Sequence, residues 1–225
     1  MRLYIIRHAE PAYPEDALTA RGRRQARALA RRLAQEGIDH LYSSPLGRAV
    51  ETARPAAEAL GLAVEIEPWT REIEDWWIPG GPEGELPAWQ VDGAAIRALV
   101  PGLSPENWHR LPPFDLPVLR QGFAGLRTAS AAFLARHGCM AEARHYRLKP
   151  GAGGRLAVFC HAGFGLTWLA HLLEIPAPLV WAGFALPPAS VTTVDFATLP
   201  DGRAAPRCLQ LGDVSHLRGP AAQGL

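Results

Sequence analysis

The run Leu3-Tyr4-Ile5-Ile6 stops at Arg7-His8, and the chain then repeats that pattern. A short, wholly apolar run with aromatic and β-branched members reads as a parallel strand buried on both faces. Behind it Thr19 is a good helix N-cap, Ala26, Leu29, Ala30 and Leu33 recur at helical spacing, and Gly37 offers a left-handed stop. Residues 38–42 read as a second strand, 46–60 as a second helix closed by Gly61, and 62–66 as a third strand. This alternation predicts an α/β fold: a three-layer, doubly wound, mostly parallel sheet with helices on both faces. Ligands of such sheets bind outside the carboxyl ends of the strands. Arg7 and His8 therefore face whatever the chain binds.

Residues 68–120 break the rhythm. Trp69, Trp76, Trp77, Trp89 and Trp108 stand there among many prolines and glycines. The stretch is expected to be an insertion over the carboxyl edge of the sheet, a lid over about 76–120, within one domain spanning 1–225. A plainer reading is a satellite core that uses tryptophan as bulk, and both can hold together. Beyond it, residues 119–136 read as a helix and 139–154 as a linker ending in a glycine-rich turn. Residues 156–160 form a further buried strand, with His161-Ala162-Gly163 and a helix over 164–173 directly after it. Residues 191–196 and 208–211 supply the last strands. A second histidine thus also stands at a strand's carboxyl end.

Composition removes several classes. Formal net charge is +1, so no global field favours nucleic acid or a membrane surface. Lys149 is the only lysine and precedes a proline, which excludes a P-loop. Cys139, Cys160 and Cys208 have no arginine six residues on, which excludes a cysteine-dependent phosphatase, and they form no zinc spacing. There is no Gly-x-Ser-x-Gly elbow. No leader precedes the first strand and no apolar run approaches a membrane span, so a cytoplasmic setting with reduced thiols is expected.

Two histidines and two arginines, Arg7 and Arg48, at one sheet edge suit phosphoryl transfer through a phosphohistidine. A neutral imidazole is a good nucleophile near neutral pH. Nearby guanidinium charge holds His8 unprotonated and neutralises phosphoryl oxygens. His161 and helix N–H groups near Ala162 would add donors. The acidic stretch Arg71-Glu72-Ile73-Glu74-Asp75 could protonate a leaving alkoxide.

Four ordered blocks then carry a resemblance. Arg7-His8-Ala9-Glu10, the helix opening Leu18-Thr19-Ala20-Arg21-Gly22, Ser43-Ser44-Pro45-Leu46-Gly47-Arg48-Ala49-Val50-Glu51-Thr52 and, with Arg71-Glu72-Ile73 between, Cys160-His161-Ala162-Gly163 resemble the histidine phosphatase superfamily, the phosphoglycerate-mutase-like group with the Arg-His-Gly signature. The resemblance implies that His8 is the phosphorylated nucleophile, that Arg7, Arg48 and His161 hold the phosphate, that Glu72 is the proton donor, and that neither a metal nor a cofactor takes part. Alanine replaces glycine at Ala9 and Ala162. The segment after the acid is altered to Asp75-Trp76-Trp77, which keeps Glu74 and Asp75 as rival donors. The expected activity is hydrolysis of a small organic phosphomonoester. The alternatives are a phosphoglycerate-mutase-type transfer and a non-catalytic phospho-ligand binder of the same fold; a homodimer is allowed. The tryptophan-rich insertion, Tyr13 and residues near Ser190 are expected to shape a partly apolar or aromatic leaving group.

Overall fold

The computed structural model of the protein describes residues 1–80, 84–143 and 145–218. Positions 81–83 of the expected insertion lie outside them. A central sheet of eight strands is built from β1 (Arg2–Arg7), β2 (His40–Ser43), β3 (Val64–Ile66), β4 (Cys139–Glu142), β5 (His145–Leu148), β6 (Arg155–Cys160), β7 (Val191–Thr198) and β8 (Arg203–Asp213). Their order is β3-β2-β6-β1-β7-β8-β5-β4. The pairs β3–β2, β2–β6 and β6–β1 are parallel. The pairs β1–β7, β7–β8, β8–β5 and β5–β4 are antiparallel. Strands β7 and β5 therefore run against the other six. The site-bearing half of the sheet is the parallel one.

The sequence of β1 explains its central place. Leu3 and Ile5 point into one core, Tyr4 and Ile6 into the other, and all four are at most 1% exposed. Strand β6 alternates likewise: Leu156, Val158 and Cys160 on one side, Ala157 and Phe159 on the other. A strand buried on both faces has to be apolar throughout. Helices α1 (Ala20–Glu36) and α2 (Gly47–Leu60) cover the Tyr4 face through Ala26, Leu29, Leu33, Ala53 and Ala56. Of the later helices α3 (Gly93–Leu99), α4 (Pro117–Arg136), α5 (Ala162–Leu172) and α6 (Ala177–Gly183), it is α4 and α5 that cover the Leu3 face, through Leu126, Phe133, Phe164 and Trp168. Thr19 caps α1 by accepting from the Gly22 N–H at 2.9 Å, and Gly37 and Gly61 close α1 and α2 at φ 65° and 66°.

One expectation is corrected. Residues 139–154 are not simply a linker: β4 and β5 form a hairpin that extends the sheet, with Cys139 opposite Leu148. Part of the tryptophan stretch packs as a satellite core, the reading that stood beside the lid. Trp76 and Trp108 join Ile78, Ile96, Phe114 and Phe123 in a third core shared with α5 and α6, and Trp69 packs edge-on to Trp168 in the first. Among the described residues no helix is long and apolar enough to cross a membrane.

Candidate active site

Three neighbouring parallel strands stop at one edge, and each delivers a polar side chain there. β1 ends at Arg7 and passes to His8, whose N–H donates to Cys160 O at 2.9 Å. β6 passes to His161. β2 passes to Ser44, whose N–H donates to Phe159 O at 2.8 Å. The imidazoles of His8 and His161 end with centroids 5.2 Å apart, tilted by 56°. Both are buried, at 2% and 0% exposure.

Hydrogen bonding assigns their nitrogens. His8 Nδ1 lies 2.8 Å from Ala9 O. A carbonyl only accepts, so Nδ1 carries the proton and Nε2 keeps its lone pair. His161 Nε2 lies 2.7 Å from Ser44 Oγ. That hydroxyl also accepts from the Leu46 N–H at 3.3 Å and has its one proton to give to Nε2. His161 Nδ1 is buried with no partner, and in the tautomer where Ser44 donates to Nε2 it carries the ring proton.

Both rings are held neutral. Burial, more than the charges of Arg7 and Arg48, lowers His8 to about 4. Burial first, then His8, Arg48 and Arg7, lowers His161 to about 2. The sequence assigned this effect to the arginines; desolvation is the larger cause.

The guanidiniums are anchored from behind. Arg7 Nη1 donates to Leu186 O at 2.6 Å. Arg48, 7% exposed, donates from Nη1 to Asp16 Oδ1 at 2.5 Å. Asp16 Oδ2 also accepts from the Gly47 N–H at 2.6 Å. Among the described residues Arg7 Nε, Arg48 Nε, His161 Nδ1 and Ser190 Oγ are buried and unpartnered. Buried donors left unpaired cost roughly 1–3 kcal/mol each, and an oxyanion would satisfy them.

Thr52 ties the two blocks together. It accepts from the Ala9 N–H at 2.9 Å and donates to Arg48 O at 2.7 Å. The left-handed non-glycine residues described are Asp16, Ala143, Glu174 and Ala189, so neither Ala9 nor Ala162 carries that strain.

Glu72 sits on the N-terminus of α5. Its carboxyl accepts from Phe164 N–H at 2.8 Å and from Gly163 N–H and Ile73 N–H at 3.2 Å. Burial raises its pKa and these three N–H groups pull it back. Of the helix N–H groups near Ala162, the first residue of α5, those of Gly163 and Phe164 are taken by the acid. Of the rival acids, Glu74 and Asp75 are exposed, and Glu74 turns to Arg71 at 3.7 Å. Of the insertion tryptophans, Trp89 stands beside the acid. A Cβ on Gly163 would stand 2.8 Å from its ring and 2.9 Å from Glu72 Oε1.

Ser44 and Asp16 were given no role by sequence, and Trp89 only a collective one with the rest of the insertion. Ser44 lay inside a quoted block, but only the closure of β2 against β6 shows what it does. A cavity of about 480 Å³ lined by Phe123, Arg127, Tyr146 and His171 holds none of these groups. Among the described residues no group of three or more His, Cys, Asp or Glu is placed to hold a metal ion.

Comparison with known proteins gives the setting. Residues 3–76 match the family model of the histidine phosphatase superfamily (branch 1). A Yersinia enterocolitica protein named probable phosphoglycerate mutase GpmB is 35% identical over 82 residues, 32% of this chain. The chain spans only 38% of that relative's length in the match. Whole-chain likeness comes from solved structures. The phosphoserine phosphatase of Entamoeba histolytica, in complex with 3-phosphoglyceric acid, has a TM-score of 0.62 at 22% identity, covering 96% of this chain and 98% of that one. A mycobacterial glucosyl-3-phosphoglycerate phosphatase has 0.60 at 24%, covering 93% and 97%. At that identity they show the fold. The chain is similar to the histidine phosphatase superfamily over residues 3–76, and it shares its fold with these phosphatase structures along its length.

Proposed function

We propose that the protein is a phosphatase that hydrolyses a small organic phosphomonoester through a phosphohistidine on His8. The observation that carries this is the His8 ring: neutral, its Nδ1 proton given to Ala9 O, its Nε2 lone pair free, 5.2 Å from a second neutral imidazole. Nε2 attacks phosphorus as the ester P–O bond breaks. Arg7, Arg48 and His161 Nδ1–H take the charge on the phosphoryl oxygens. Glu72 gives its proton to the departing alkoxide. Water then attacks the phosphohistidine, Glu72 takes back a proton, and phosphate leaves with His8 neutral again.

No metal or cofactor has a part in these steps. The setting is the cytoplasm, and the partner is a small phosphate ester rather than nucleic acid or a membrane. The mutase alternative draws on the local likeness to a probable phosphoglycerate mutase. Turnover of p-nitrophenyl phosphate in the presence of a chelator, lost in His8→Ala, supports the phosphatase. Phosphate binding without turnover by the wild type contradicts it and leaves a binding protein. Product analysis with phosphoglycerates separates hydrolysis from transfer.

A further inference from the structure

The chemistry of the leaving group can be inferred from what stands beside the acid, taking the phosphatase function as given. Glu72 protonates the departing oxygen, so the first atoms of the released alcohol lie against it. Trp89 is there: its indole and the Glu72 carboxyl both come within 3 Å of the point where a Cβ on Gly163 would stand. Trp89 is only partly buried, unlike Trp76 and Trp108 at 2% and 0% exposure. A second ring, Tyr13, stands 5.6 Å from the Arg48 guanidinium carbon and is 63% exposed.

Charge points the same way. The cations that bear on His8, His161 and Glu72 are Arg7, Arg48 and Arg71. Arg7 and Arg48 are committed to the phosphoryl group and their anchors, and Arg71 is answered by Glu74. On α1, Arg21 pairs with Glu10 at 3.2 Å and Arg23 with Glu51 at 3.5 Å. The one lysine, Lys149, lies beyond β5, in the turn whose Gly154 O accepts from the Arg2 N–H at the opposite end of β1. A carboxylate or second phosphate on the leaving group would meet Arg21, Arg23 and Arg71 in exposed, already partnered positions, where an ion pair contributes little.

We propose that the released alcohol is uncharged and apolar, with an aromatic or bulky hydrocarbon body, and that Trp89 selects it. This disfavours phosphoglycerates as substrates.

The test compares kcat/KM for benzyl phosphate, glycerol 3-phosphate and 3-phosphoglycerate. All three release an unactivated alcohol, so leaving-group acidity does not decide the order. Benzyl phosphate is expected to lead by roughly tenfold or more, the scale at which an apolar pocket discriminates. Trp89→Ala should narrow that lead through KM, and Trp89→Phe should retain most of it, with thermal unfolding showing each variant folded. Wild-type turnover of 3-phosphoglycerate equal to that of benzyl phosphate overturns the proposal without needing any variant. A lead that survives Trp89→Ala in folded protein also overturns it. If p-nitrophenyl phosphate is turned over without any preference among the three esters, this inference alone falls. If it is not turned over at all, the phosphatase function falls with it.

Discussion

His8 and Glu72 are both buried ionisable groups, and burial pushes each toward its neutral form. For an imidazole that creates the nucleophile; for a carboxyl it creates the acid. Neither group owes its shift to a hydrogen bond with the other. Glu72→Gln is expected to slow turnover of an alkyl phosphate by about 10²–10⁴-fold with little loss of phosphate affinity. Glu74→Gln, altering an exposed partner of Arg71, should be near wild type. Steady-state kinetics with phosphate inhibition checks both, and the reverse result would move the acid to Glu74. At this scale Arg7, His8, Arg48 and His161 were legible because each directly follows a strand or opens a helix. Asp16 was not. It grips Arg48 from a left-handed backbone, φ 47°, which a non-glycine residue adopts only when its surroundings enforce it. Nothing in Pro14-Glu15-Asp16 announces that contact, because it depends on where α2 begins.

The element that organises the acid is α5. Its positive end is occupied by Glu72, and Gly163 makes room for that carboxyl and for Trp89. Gly163→Ala puts a methyl under 3 Å from both. Displacements of about 1 Å at a reacting group cost about 10² in rate. The variant should therefore lose kcat on that order while its melting temperature changes little. Unchanged kcat would show that the Glu72–α5 contact is not the working arrangement. Element boundaries followed from caps where caps exist: Thr19, Gly37 and Gly61 were readable and stand where expected. The β4–β5 hairpin was missed for a physical reason. Cys139-Met140-Ala141-Glu142 lacks β-branched residues and clean alternation, and its pairing is reinforced by Arg147–Glu142 across the ribbon at 2.8 Å. Helix α6 was missed too, since Ala177–Gly183 is short and packs into a third core built with the insertion.

Across the whole molecule, two cores clamp the parallel strands and a third supports the insertion. The fold class was legible because β1 and β6 must be buried on both faces; the antiparallel half of the sheet was not, because β8 is amphipathic and mostly partly exposed. Burial on this scale has a pH consequence. His8, His171 and His216 are lowered from 6.5 to about 4, and His161 to about 2. Between 6.5 and about 4 the unfolded chain binds protons that the folded chain refuses, so stability is lost as pH falls through that window. The melting temperature should drop steadily from pH 7 to pH 4; a flat profile would mean these imidazoles protonate freely in the folded state. The most direct test of the site is where the phosphoryl group goes. Rapid alkaline quenching during turnover of a phosphate ester, followed by peptide mapping, should find it on His8, acid-labile and absent from His8→Ala. Turnover with the label on another residue, or with no phosphoenzyme under single-turnover conditions, would contradict nucleophilic catalysis by His8.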